Sequence, residues 1–167
     1  MKLHASHIFS ASAAAVCVGM ADTEFYATLD LPDLERPELL VRTETGATTD
    51  VHLRFTYTGR LDPIARRIVG HDRVTWVQRL VVDAGARSCA LTVAPEIGVV
   101  PVSCTGTFRM HDADGGQCLR ILDGELRVKV PVIGGRAERS LAPGIMRRLD
   151  LEAAALEAYL ARDARHR

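Results

Sequence analysis

Two polar side chains fall among apolar ones on what is predicted to be one face of two strands. Alternation along residues 48–58 places Tyr57 in phase with Phe55, and alternation along 73–83 places Gln78 in phase with Trp76. A buried phenol or amide needs a hydrogen-bond partner. Backbone is the more common partner, and the alternative is a carbonyl or hydroxyl of a small molecule held against this face.

Apolar residues of later predicted strands and of the C-terminal helix extend this face. We therefore predict a ligand-binding set on the inner side of one sheet. The set is Phe55, Tyr57, Trp76, Gln78, Phe108, Leu126 and Leu149.

Other residue types that could do chemistry do not form recognisable sites. His4 and His7 are three apart on a predicted strand, so they point to opposite faces and are poor joint metal ligands. The four cysteines contain no C-x-x-C pair and lie in apolar contexts, which is typical of free buried thiols in a reducing compartment. We expect no metal site and assign no catalytic residue.

Charged and glycine-rich stretches have structural interpretations. Asp62, followed by Pro63, is a good helix cap, and the arginines after it are expected on a solvated face. Alternating charges at 123–129 indicate the outer face of an antiparallel strand. Gly134 and Gly135 lack the glycine spacing of nucleotide-binding loops, so no cofactor is expected.

The amino-acid composition limits the classes of partner that we expect the protein to bind. Of 167 residues, 21 are Lys or Arg and 21 are Asp or Glu, with no one-sided run, which argues against nucleic acid or an anionic membrane surface. No stretch approaches the roughly 20 apolar residues needed for a membrane span. The length predicts one domain over residues 1–167, and we expect it to be cytoplasmic, with the oligomeric state undetermined.

The N-terminus has two interpretations. Lys2 followed by the small apolar run 11–20 resembles a weak signal peptide. The run has alanine where such a peptide would have leucine, so we favour a folded strand at 3–9, a short helix capped by Ser10 or Ser12, and a second helical turn capped by Asp22.

The last fifty residues predict a strand at 118–131, a turn at 133–135 and a helix at 136–162. We favour a continuous helix kinked at Pro143, because Leu141 is in phase with the later apolar residues. The predicted apolar stripe is Leu141, Ile145, Leu149, Ala153, Leu156 and Leu160, and the predicted polar face carries Arg147, Arg148, Glu152 and Glu157.

Between these ends we predict a meander. Strands at 38–45 and 48–58 flank a turn at Gly46. A second hairpin turns at 83–86, setting Leu80 by Cys89, and a third turns at 114–116. In the third hairpin, the predicted pairs are Phe108 with Leu122, Gly106 with Gly124, Cys104 with Leu126 and Val102 with Val128.

A short helix at 64–69 is expected to interrupt the meander. It follows Asp62 and Pro63 and ends before Gly70. Because glycines at 59 and 70 bracket it, we predict that it gates a cavity mouth, with a permanently packed connector as the alternative.

The predicted elements come in the order strand, two short helices, six strands with a short helical insertion, and one long helix. This order resembles that of the START-like superfamily, the helix-grip fold of polyketide cyclases and birch-pollen-allergen-like proteins. The stretches FYATLDLPDL, YTGRLDPIARRIVGHDRVTWVQ and LDGELRVKVPVIGGRAER resemble an actinobacterial domain-of-unknown-function branch, family 2505. The resemblance implies an α+β fold with a seven-stranded curved antiparallel sheet around the C-terminal helix. It also implies a cavity for a hydrophobic ligand, and it implies no catalytic residues.

Three functions remain open. The first is binding of a hydrophobic or amphipathic small molecule between sheet and helix. The second is a cyclase- or dehydratase-like enzyme, for which Tyr57 and an inward-pointing Glu38 would be the available groups. The third is a structural or partner-binding protein whose groove is filled by its own side chains. A cavity below about 300 Å³ would favour the third.

Overall fold

A computed structural model of the protein describes residues 1–63, 66, 73–96 and 101–166. Seven strands form one antiparallel sheet in the order β1-β7-β6-β5-β4-β3-β2. The strands are β1 Lys2–Phe9, β2 Glu38–Thr45, β3 Thr48–Tyr57, β4 Val74–Asp83, β5 Ser88–Pro95, β6 Val102–Ala113 and β7 Gln117–Val128.

Two short helices follow β1, and one long helix ends the described chain. They are α1 Ala13–Met20, α2 Thr23–Thr28 and α3 Gly134–His166. Ser12 caps α1 by accepting from the Ala15 amide, and Asp22 caps α2 by accepting from the Glu24 amide. The N-terminal strand and helices are therefore formed as predicted.

The core lies between the inner face of the sheet and α3. Leu149, Ala153 and Leu156 of the helix are buried in one cluster with Phe9 and Leu122 of the sheet. Pro143 lies inside α3, and the helix continues through it as predicted. The curved sheet gripping one long helix confirms the predicted helix-grip fold.

The pairing of β6 with β7 is as predicted, with Phe108 opposite Leu122 and Gly106 opposite Gly124. The predicted register of β4 and β5 is wrong by two residues. Leu80 lies opposite Leu91, not Cys89.

A longer loop causes this shift. The predicted pairing would have required a two-residue turn at Ala84-Gly85, and the favoured turns of that length need positive φ, which alanine disfavours. The chain instead pairs Asp83 with Ser88. Asp83 accepts a hydrogen bond from the Ala86 amide at 2.8 Å, and Arg87 takes a φ of 50°. An even shift keeps every side chain on its predicted face.

Part of the predicted polar face of α3 is wrong. Arg147 is exposed, but Glu152 is buried and the side chain of Arg148 is only 13% exposed. These two residues follow Ile145 and Leu149 by three positions, so they continue the apolar stripe instead of opposing it.

Glu38 does not face the core. Its side chain is exposed and accepts a hydrogen bond from Arg54 at 2.8 Å. The acid group considered for catalysis is therefore on the outer side of the sheet.

The predicted gating helix lies largely outside the described residues. Within them, Pro63 and Arg66 are helical, and the Arg66 amide donates to the Asp62 carbonyl at 2.9 Å. No helix in the described ranges is both long enough and apolar enough to cross a membrane.

Candidate functional site

A cavity of about 340 Å³ lies between the inner face of the sheet and the first half of α3. The helix lines it with one face, through Leu141, Ile145, Arg148 and Leu151. These positions are separated by three or four residues, so they share one side of the helix.

Tight packing closes the space at the other end of α3. A Cβ placed on Gly19 of α1 would lie 2.9 Å from Leu156 Cδ1 and 3.0 Å from Leu160 Cδ2. Phe25 and Tyr26 of α2 are buried in the same cluster, and Tyr26 donates its hydroxyl hydrogen to the Met20 carbonyl at 2.9 Å. The two short helices therefore confine the cavity to the N-terminal half of α3.

One corner of the cavity wall is polar. The Arg148 guanidinium carbon lies 4.5 Å from the centroid of the Phe55 ring and 5.9 Å from that of Trp76. The two rings are stacked, with centroids 5.6 Å apart. Arg148 also pairs with Glu152. The aromatic faces and the carboxylate together hold a charged group at a largely apolar wall.

A second arginine is buried beneath this corner. Arg120 is 2% exposed and lies between the rings of Phe9 and Phe108, at 5.0 Å and 4.7 Å from their centroids. Burial lowers the pKa of Arg120, and the negative charge of Glu152 opposes that effect.

His7 links Arg120 to the surface. Arg120 donates to His7 Nδ1 at 3.3 Å, and His7 Nε2 lies 2.9 Å from Asp150 Oδ1. Since a guanidinium only donates, Nδ1 accepts and the ring hydrogen is on Nε2, facing the carboxylate.

The predicted ligand-binding residues fall into two groups. Tyr57, Trp76 and Leu126 line the cavity. The structure places the others behind the wall, in the packed core: Phe55, Gln78, Phe108 and Leu149. Contact of any of the seven with a ligand stays a prediction.

The polar residues Tyr57 and Gln78 have different environments. The Tyr57 hydroxyl donates to the Arg60 carbonyl at 3.3 Å, so backbone is its partner. Gln78 is 1% exposed, and its Oε1 has no hydrogen-bond partner among the described residues.

The sequence patterns did not assign several residues of the cavity wall to the site. Arg148 was assigned to the solvated face of the helix, although its spacing from Leu141 and Ile145 contained the signal. Cys104 was recognised only as a strand residue paired with Leu126. The segment 31–34 after α2 carries no periodicity that could have placed Leu31 and Leu34 at the cavity.

The thiol on the wall is a weak nucleophile. Burial raises the pKa of Cys104, and the positive charge of Arg148 only partly offsets this. Among the described wall residues the carboxylates are Asp33 and Asp62, and Asp62 accepts from Ser140 at 2.7 Å. In the described ranges no three His, Cys, Asp or Glu side chains converge as a metal-binding group. The described wall is therefore largely apolar, and Arg148 is its least exposed charged residue.

The sheet order, the long gripping helix and the cavity between them define the helix-grip fold. Within that class, the chain belongs to the family described as Protein of unknown function (DUF2505), which matches residues 4–160. No curated protein matches the sequence.

Solved structures share the fold at low sequence identity. The Zhui aromatase/cyclase from Streptomyces sp. R1128 is 18% identical, with a TM-score of 0.68 over 98% of this chain and 95% of that chain. Norcoclaurine synthase from Thalictrum flavum, in complex with dopamine and hydroxybenzaldehyde, is 18% identical, with a TM-score of 0.67 over 97% and 87%. A START superfamily protein from Mycobacterium smegmatis is 16% identical, with a TM-score of 0.61 over 96% and 97%. At these identities the likeness concerns the fold.

Proposed function

We propose that the protein binds a hydrophobic or amphipathic small molecule in the cavity between the sheet and α3. The observation that carries the proposal is the cavity itself, about 340 Å³ with a largely aliphatic and aromatic wall. This volume lies within the range of small-molecule sites. It exceeds the limit of about 300 Å³ below which a groove filled by its own side chains would be favoured.

A blocking variant tests the proposal. Gly144 lines the cavity, and a Cβ added there meets nothing within 4 Å. We expect Gly144→Trp to fold and to weaken binding of the uncharged fluorescent probe N-phenyl-1-naphthylamine by about tenfold, equal to about 1.4 kcal/mol.

Gly135→Trp is the matched control. Gly135 is exposed, belongs to the same helix and lies outside the cavity wall, so its substitution should leave the probe's affinity unchanged. Native mass spectrometry of protein purified from its host supplies the second readout. A lone apo mass, together with no probe binding by the wild-type chain, would refute the proposal.

Catalysis is the second candidate, and its support is narrower. The fold neighbours include the Zhui aromatase/cyclase and norcoclaurine synthase. Because Glu38 is on the outer side of the sheet, Tyr57 is the remaining acid considered from the sequence. Turnover of a polyketide-like substrate that disappears in Tyr57→Phe would place catalysis ahead of binding.

The cellular setting belongs to the same proposal. All four cysteines are free and buried, which supports a reducing, cytoplasmic environment. The balanced charge supports a small-molecule partner over nucleic acid, and we propose that the whole chain is one START-like domain.

A further inference from the structure

The buried charges beside the cavity do not balance. Arg120, Arg148 and Glu152 are grouped in the core at the base of the wall, giving two positive charges and one negative. The side chain of Asp150 is 64% exposed, so its carboxylate is not a buried counter-charge. One positive charge is therefore left without a buried counter-charge among the described residues.

Hydrogen-bond donors are in excess at the same corner. Among the described residues, three buried donors have no acceptor, Trp76 Nε1, Arg120 Nε and Arg148 Nε, whereas one buried acceptor, Gln78 Oε1, has no donor. Buried donors without acceptors and buried charges without counter-charges both cost stability. An acceptor bearing negative charge, placed on the cavity side of Arg148, would offset both.

The remaining charges of the described wall do not supply that acceptor. Arg60 and Arg147 balance Asp33 and Asp62 in number, so the described wall supplies no further anion for the positive charge left over by Arg120, Arg148 and Glu152. Asp62 is held by Ser140. A guanidinium offers a planar fork of donors that matches the oxygens of an acid group.

We infer that the ligand of the cavity is an apolar molecule bearing one acidic oxygen group, a carboxylate or its equivalent, that pairs with the Arg148 guanidinium. The inference rests on the proposed function and goes further by assigning the charge of the ligand and the residue that recognises it. Glu152 competes with the ligand for Arg148, while Arg120 holds part of the Glu152 charge.

Two probes that share one ring system test the inference. N-phenyl-1-naphthylamine is uncharged, and 8-anilino-1-naphthalenesulfonate adds a sulfonate to the same rings. Each probe is titrated into the wild-type protein and its fluorescence is followed. The sulfonate probe should bind at least about tenfold more tightly than the uncharged probe.

Variants of Arg148 and Glu152 test whether this pair causes the preference for the sulfonate probe. Arg148→Gln should reduce the ratio of the two affinities to near one, and Arg148→Lys, which retains the charge, should keep part of it. Glu152→Gln should raise the ratio, because it removes the competing carboxylate. A general loosening of the fold would weaken the binding of both probes equally and would leave the ratio of their affinities unchanged.

The outcomes separate the two proposals. Equal ratios in the wild type, Arg148→Gln and Arg148→Lys would overturn the acidic ligand while leaving cavity binding intact. Failure of the uncharged probe to bind the wild type would instead count against cavity binding itself. Near-ultraviolet circular dichroism verifies that each variant is folded; if Glu152→Gln is not, the two Arg148 variants decide the result.

Discussion

Arg120 and Arg148 show how single side chains can be placed against their usual preference. Both are long cations that proteins normally leave in water, yet each lies against two aromatic rings and near one carboxylate, Glu152. The stability of this group depends on the one anion more than on either cation. Removing the anion leaves two charges uncompensated, whereas removing one cation leaves a neutral pair.

A comparison of two substitutions tests this dependence. Glu152→Leu should lower the free energy of unfolding by about 3–5 kcal/mol, the usual cost of breaking a buried ion pair by removing one partner. Arg120→Met should cost clearly less, since Arg148 and Glu152 still pair. Urea denaturation monitored by circular dichroism measures both. Equal losses, or a larger loss for Arg120→Met, would contradict the charge argument.

Because the thiols are buried, we expect the stability of the protein to fall at alkaline pH. Burial raises the pKa of Cys17 from 9.0 to about 11 and that of Cys89 to about 12. Above pH 9 the unfolded chain loses protons that the native chain keeps, so stability is full below about pH 9 and falls as pH rises towards these values. Each thiol lowers the free energy of unfolding by up to about 1.4 kcal/mol per pH unit over this range.

Urea denaturation between pH 8 and 10.5 checks the effect of the thiols. The free energy of unfolding of Cys89→Ala should fall less steeply with pH than that of the wild type. An identical slope in the two proteins would show that Cys89 ionises as readily in the folded chain as in the unfolded one.

At the scale of elements, the centre of the β6–β7 pair depends on two facing glycines. A Cβ on Gly124 would lie 2.7 Å from the Thr105 carbonyl oxygen, and one on Gly106 would lie 3.1 Å from the Asp123 carbonyl oxygen. These contacts are with backbone, which cannot swing aside as a flexible side chain does. The close approach of the two strands therefore requires glycine at this pair.

Alanine substitutions distinguish this pair from a glycine without close neighbours. Gly124→Ala should lower the free energy of unfolding by about 1–3 kcal/mol through steric overlap. Gly144→Ala, in the interior of α3 with nothing within 4 Å, should raise it by about 0.5–1 kcal/mol. Thermal and urea unfolding of the two variants provide the measurement. Tolerance of Gly124→Ala without loss would mean that the strands can separate at that point.

Over the whole molecule, stability should be unequal between the two edges of the sheet. β1 and β2 are both eight-residue edge strands, but Leu3, Ala5 and Phe9 of β1 are buried, whereas no residue of β2 is. Leu39 and Val41 of β2 are each 44% exposed. The core that α3 forms with the sheet thus extends to one edge and leaves the other exposed.

Native-state hydrogen exchange tests that asymmetry. Backbone amides of β2 that pair with β3 should exchange faster than those of β1 that pair with β7, by roughly an order of magnitude or more, because few buried contacts oppose local opening of β2. The comparison is internal, since both strands have one free edge. Equal protection of the two edges would require a contact on β2 that the described residues lack.

The sequence determined the order of the elements, the faces of the strands and the β6–β7 register, because alternation, capping residues and turn glycines are local signals. It also assigned Tyr57, Trp76 and Leu126 to the inner face of the sheet, and these three residues line the cavity. It did not determine the β4–β5 register, since two pairings put apolar residues together and only the four-residue loop distinguishes them.

The polar corner of the cavity was decided by tertiary structure. Arg148, Glu152 and Arg120 are charged, so hydropathy assigns them to solvent, and their burial depends on aromatic rings and a counter-charge contributed by distant parts of the chain. The cavity itself also depends on distant segments, because α1 and α2 close one end of the α3 groove and leave the other end unfilled. Neither arrangement is encoded in a local pattern, which is why the sequence indicated the fold more fully than the site.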